Sequence, residues 1–174
     1  MKSVNDSVPI LREAASILLS MNGSSNGPTK RLSKGSILII DDNFALREAL
    51  HTVLRLLPGM TVYTAANGHE GLQIVQQQHI DLVVLDLNMP EMNGEQTYLN
   101  LQQIAPEVRV IISSSLSQHE AQLRFREREL PAYLRKPYEI DALLSVVQAE
   151  MVITSVHTHQ SLGYSSSAMK RRKE

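Results

Sequence analysis

Leu82-Val83-Val84-Leu85-Asp86 sets four consecutive apolar residues, two of them β-branched, directly before a carboxylate. A run apolar at every position, rather than at every second one, is the pattern of a strand buried on both faces. Ile37-Leu38-Ile39-Ile40 has the same form and runs into Asp41-Asp42. Residues 108–112 repeat it with one Arg and run into Ser113-Ser114-Ser115. Weaker strands are expected at 61–65 and 132–135, the latter followed by Lys136-Pro137. Helical spacing fills the gaps: Ala45, Ala49, Val53 and Leu56; Leu72 and Val75; Leu99, Leu101 and Ile104; Ile140, Leu143, Leu144 and Val147. The order β-α, five times over, predicts an α/β fold: a five-stranded parallel sheet, doubly wound as (βα)5, with helices on both faces.

Outward from that block the composition changes. Residues 22–35 are rich in Gly, Ser, Asn and Pro and read as a linker. Before it, residues 8–21 carry Pro9 near the start and an apolar face through Ile10, Ala14, Ile17, Leu18 and Met21, so segment 1–21 is expected to hold a short amphipathic helix. Residues 36–152 form the expected domain, and 153–174 a disordered tail with the basic cluster Lys170-Arg171-Arg172-Lys173 near its end. The 174 residues are 43% hydrophobic and 20% charged, which excludes a wholly disordered chain. The absence of Cys excludes a disulfide framework, thiolate metal sites and a cysteine nucleophile. A net charge of -1 gives no global pull toward nucleic acid or anionic lipid. No apolar run approaches the roughly 20 residues of a membrane helix, and no signal-peptide pattern opens the chain, so a cytoplasmic location is expected.

Ligands of such sheets bind beyond the carboxyl ends of the strands. Those ends carry Asp41 and Asp42, Asp86, the three serines, and Lys136. Any one of them has a plainer role; Asp42 or Asn43, for instance, suits a helix N-cap. Together they bring carboxylates, a hydroxyl and an ammonium to one edge. Three close carboxylates stay ionised only beside a compensating cation. Hard oxygen donors at a site for phosphoryl oxygens favour Mg²⁺. An ionised Asp can then take a phosphoryl group as an acyl phosphate, with Lys and Ser stabilising the transferred oxygens.

The run 37–43, the segment Asp81-Leu-Val-Val-Leu-Asp-Leu-Asn-Met-Pro-Glu-Met-Asn-Gly94, the Ile-Ile-Ser-Ser segment and Leu134-Arg-Lys-Pro-Tyr138 resemble a two-component response regulator receiver domain, over about residues 35–152. The resemblance implies a flavodoxin-like fold of the chemotaxis-regulator type. It implies Asp86 as phosphoacceptor, and Asp41, Asp42, Asp86 and the Asn88 backbone carbonyl as Mg²⁺ ligands. Ser114 matches the switch hydroxyl, with Ser113 an alternative one residue away. Lys136 matches the family lysine, before a cis bond to Pro137, and Tyr133 the aromatic that turns inward on activation. Catalytic roles thus fall to Asp86, Lys136 and Ser114, and the protein is expected to catalyse only its own phosphorylation and dephosphorylation.

The implied partners are a histidine kinase or histidine phosphotransfer protein and a downstream protein target. The twenty-odd residues after Met151 are too few for a DNA-binding output domain, so signalling is expected through protein contact or relay. Two rival readings are a haloacid-dehalogenase-like phosphatase, which needs a second Asp where Asn88 stands, and a non-phosphorylated scaffold or remnant of a longer regulator. The resemblance further implies that Asn88 and Leu116 flank the line of water attack on the acyl phosphate. Leu116 cannot orient a water, which predicts a long-lived phosphorylated state. Residues 118–129 carry mixed charge, read as a solvated helix face or a docking face.

Overall fold

The computed structural model describes residues 34–126 and 128–160, the last nine by their backbone only, and, ahead of them, Ser16 alone. Apart from Ser16, the expected helix at 8–21 lies outside the described residues, as do most of the linker and residues 161–174.

Five strands, β1 (Gly35–Ile40), β2 (Met60–Ala65), β3 (Leu82–Asp86), β4 (Arg109–Ser114) and β5 (Ala132–Arg135), alternate with five helices. These are α1 (Phe44–Leu54), α2 (Gly68–Gln77), α3 (Gly94–Ile104), α4 (Gln118–Phe125) and α5 (Ile140–Gln160). The strands form one parallel sheet in the order β2-β1-β3-β4-β5, the expected doubly wound arrangement. The order reverses between β1 and β3, so the crevice for a ligand opens at their carboxyl ends.

Strand alternation sorts the core into two layers. Ile37, Ile39, Leu82, Val84, Ile111 and Leu134 face α1 and α5, while Leu38, Ile40, Val83, Leu85, Val110 and Ile112 face α2, α3 and α4. Because both faces are covered, β1 and β3 need apolar side chains at every position, which is why their runs are unbroken.

Two boundaries move. Gly35 lies inside the expected linker, yet it opens β1 opposite Met60. A Cβ there would sit 2.3 Å from Met151 Cε, so a larger residue would require the end of the Met151 side chain to move aside. The backbone of α5 continues to Gln160, past the expected boundary at 152; nothing between 152 and 160 is Gly or Pro, so the sequence supplies no stop there. Two apolar stripes also differ from expectation. In α1 the buried side chains are Leu50, Val53 and Leu54, with Leu46 beside them, whereas Ala45 is exposed, as is Leu56 just past the helix end. In α3, Thr97 and Leu101 are buried, and Leu99 and Ile104 face outward. Among the described residues no helix is long and apolar enough to cross a membrane.

Candidate functional site

Each site residue stands where a strand hands over to a loop or helix. Past β1, Asp41 is buried and accepts the Asn43 N–H at 2.8 Å on Oδ1, while Asn43 in turn caps α1 through its side chain. Arg47, one turn into α1, donates to the Asp41 carbonyl at 2.6 Å. This fixes the Asp41 backbone as well as its carboxylate. Asp42 points to the surface.

Asp86 closes β3 and is 5% exposed. The turn after it folds back tightly: Gly94 N–H donates to the Leu87 carbonyl at 3.1 Å, and a Gly94 Cβ would lie 2.3 Å from the Asp86 carbonyl oxygen. Glycine is therefore demanded at the start of α3 by close approach. The turn also holds Glu91 at φ +63°, in the left-handed region.

Asp41, Asp42 and Asp86 bring carboxylate oxygens within 4.8 Å of one another. Lys136, just beyond β5, spans the buried pair: its ammonium lies 2.8 Å from Asp41 Oδ2 and 3.0 Å from Asp86 Oδ1. The Lys136–Pro137 bond is cis, as the resemblance implied. One ammonium faces three carboxylates, so the cluster carries excess negative charge aimed at a cation with hard oxygen preference.

Electrostatics follow from burial. Desolvation pushes the Asp86 carboxyl above its ordinary value; the Lys136 charge and hydrogen bond and the Asn88 backbone N–H oppose this without cancelling it. Burial alone would lower the Lys136 ammonium. The Asp41 hydrogen bond and the charges of Asp86 and Asp41 outweigh it and hold the group above its usual value.

At the end of β4 the serines separate. Ser113 is the register partner of Asp86, on the α1/α5 side, and its hydroxyl pairs with the Tyr138 hydroxyl at 3.1 Å. Ser114 is fully buried and turns the other way, where its Oγ accepts the Leu116 N–H at 3.3 Å. Its carbonyl accepts the Lys136 N–H at 2.7 Å, tying β4 to the lysine. Tyr133 on β5 is half-buried and donates its hydroxyl to the Leu116 carbonyl. The Leu116 side chain packs against the apolar cluster under α4. Asn88 is exposed, with its carboxamide bonded to Ser115 and Arg124.

The structure thus gathers Asp41, Asp42, Asp86 and Lys136 into one cluster, and places Ser114 and Tyr133 on the strands beside it. Arg47, Arg124 and the Ser113–Tyr138 pair went unread in the sequence. Arg47 carried one usable signal, its place one turn into the helix that Asn43 caps; the others depend on tertiary contacts.

A family model described as the response regulator receiver domain matches residues 37–148. The nitrate/nitrite response regulator protein NarL of Escherichia coli is 32% identical over 128 residues, 71% of this chain and 59% of that protein. The chain therefore spans little more than half of that relative's length. Sporulation initiation phosphotransferase F of Bacillus subtilis is 30% identical over 119 residues, covering 68% of this chain and 95% of that one. Among solved structures, a response regulator receiver domain protein from Clostridium thermocellum superposes with a TM-score of 0.62 at 28% identity, over 71% of this chain and 98% of the other.

Proposed function

This chain belongs to the response regulator receiver domain family, and on that premise we propose that it accepts a phosphoryl group on Asp86 from a phosphohistidine of a kinase or phosphotransfer protein. The observation that carries the reading is the Lys136 ammonium held between Asp41 and Asp86 beside the third carboxylate, Asp42. An Asp86 carboxylate oxygen attacks phosphorus as the bond from phosphorus to the imidazole nitrogen breaks, and that nitrogen keeps the electron pair. Lys136 offsets charge on the incoming oxygens. Asp41, Asp42, Asp86 and the Asn88 carbonyl would hold Mg²⁺, which supplies further neutralisation of the transferred oxygens.

The new group adds charge and acceptor oxygens beside β4. In this reading Ser114 exchanges the Leu116 N–H for a phosphoryl oxygen, which loosens the loop that Tyr133 holds by the Leu116 carbonyl. The change would bias an existing equilibrium across α4, β5 and α5, a surface read by a protein partner. A location in the cytoplasm, with the phosphohistidine donors, belongs to the same proposal. Incubation with acetyl phosphate and Mg²⁺ tests the reading: intact mass should rise by one phosphoryl group, and chelation of Mg²⁺ should prevent it.

Two outcomes are expected at the rim of the site. Asp42→Ala should weaken Mg²⁺ binding by about tenfold or more, since it deletes one charged oxygen ligand of a hard cation; calorimetric titration giving an unchanged affinity would remove Asp42 from the ligand set. Leu116 offers water no side-chain hydrogen bond. Leu116→Gln supplies one, and should shorten the half-life of the phosphorylated form in saturating Mg²⁺. A half-life equal to or longer than that of the wild type would contradict it.

A further inference from the structure

Asn88 stands two residues past Asp86 at the mouth of the acidic cluster, and its carboxamide is held at both ends. Its Nδ2 donates to Ser115 Oγ at 3.3 Å, and its Oδ1 accepts from Arg124 Nη1 at 3.2 Å. Arg124 can only donate, so the carboxamide orientation follows from chemistry. The same nitrogen of Arg124, on α4, also lies 3.2 Å from Glu95 Oε1 in the first turn of α3. The bridge joins the β3–α3 turn, the β4–α4 loop and α4 across the rim of the site.

The sharing is incomplete. One Nη1 serves two acceptors, both longer than the roughly 2.7–2.9 Å usual for a guanidinium on a carboxylate. Glu95 Oε2 is buried with no hydrogen-bond partner among the described residues. A guanidinium that left Asn88 would find a second acceptor waiting on Glu95, in the bidentate geometry Arg favours. Arg124 thus has two alternative seats, one that fixes Asn88 and one that frees it.

We propose that Arg124 is a positioning residue for loss of the phosphoryl group: by holding the Asn88 carboxamide against α4 and Ser115, it keeps that group from orienting the attacking water. The inference rests on Asp86 being the phosphoacceptor. In the step concerned, water oxygen bonds to phosphorus and the bond from phosphorus to the Asp86 oxygen breaks. The electron pair returns to the carboxylate, and the water proton leaves on the released phosphate. Freed of Arg124, the Asn88 carboxamide can turn over the mouth and hydrogen-bond that water.

The test follows the decay of protein phosphorylated by acetyl phosphate, after the donor is removed and in saturating Mg²⁺. Arg124→Ala should accelerate decay roughly fivefold, the size of a coupling between contacting side chains. Arg124→Lys, which keeps a donor toward both acceptors, should restore most of the wild-type rate. In an Asn88→Ala background the Arg124→Ala substitution should change nothing, an outcome that a general loosening of α4 would not produce. An unchanged rate in Arg124→Ala, or an equal acceleration without Asn88, overturns the inference. The unphosphorylated protein supplies a second readout: the Asn88 side-chain amide resonance should move in Arg124→Ala, and a resonance that stays put would mean the bridge does not form. Failure of the wild type to take up any phosphoryl group would instead overturn the assignment of Asp86, whatever that resonance does.

Discussion

Asp86→Asn is expected to abolish phosphoryl uptake completely while raising the stability of the Mg²⁺-free protein. The first effect follows because an amide oxygen is not the nucleophile that an ionised carboxylate is. The second follows from burial. Desolvation holds the Asp86 carboxyl above its unfolded value, so its ionised form is disfavoured by folding. Below the unfolded value the group is protonated in both states and costs nothing. As pH rises from there through the raised folded value, the wild type must bury a charge and loses stability. The substituted carboxamide carries no such charge, so the variant should lack that decline and melt higher at neutral pH. Thermal melts without Mg²⁺ across this range check the sign; a variant that melts lower at neutral pH would show that the Lys136 contact outweighs the burial.

Lys136→Ala should be the most destabilising change at the site, by roughly 3 kcal/mol, because removing one partner of a buried ion pair strands the other charges. Here two carboxylates would be stranded, at positions 41 and 86, both nearly inaccessible to water. The same variant should label slowly with acetyl phosphate, since the cation beside the transferred oxygens is gone. Combining it with Asp86→Asn removes one of the stranded charges, so the double variant should recover part of the lost stability. Denaturant melts of the two single variants and the double decide this. Equal losses in Lys136→Ala with and without Asp86→Asn would mean that Lys136 supports the fold through its stem and not through its charge.

The sheet was legible because its strands are buried on both faces, which leaves little freedom of composition: Ile37 through Ile40 and Leu82 through Leu85 are apolar at every position. The acidic edge was legible for a related reason, since polar residues that end such runs stand at the carboxyl edge of the sheet. The helices were harder. At α1 two interleaved sets, one of Ala45, Ala49, Val53 and Leu56 and one around Leu46, Leu50 and Leu54, both satisfy helical spacing, and packing against the sheet buries the second together with Val53 from the first. In α3 the buried Thr97 spends its hydroxyl on the Asn93 carbonyl, so a polar residue occupies a core position that hydrophobicity alone passes over.

Among the serines, one residue of register decides between Ser113 facing Tyr138 and Ser114 facing the α4 side, and sequence spacing leaves that choice open. Arg124 was hidden altogether within a mixed-charge segment, because its meeting with Asn88 spans 36 positions and exists only once α4 docks. Local patterns carry the elements and the strand ends; contacts between separate elements have no local signature.

The central claim is that Asp86 becomes an acyl phosphate, and its chemistry can be read directly. An acyl phosphate is reduced by borohydride to an alcohol, which turns the modified aspartate into homoserine. The protein should be phosphorylated with acetyl phosphate and Mg²⁺, reduced, digested, and its peptides mass-mapped. Homoserine at position 86 alone, absent when Mg²⁺ is chelated, is the predicted result. An unreduced phosphate on Ser113, Ser114 or Ser115, or homoserine at position 41 or 42 with Asp86 intact, would contradict the account.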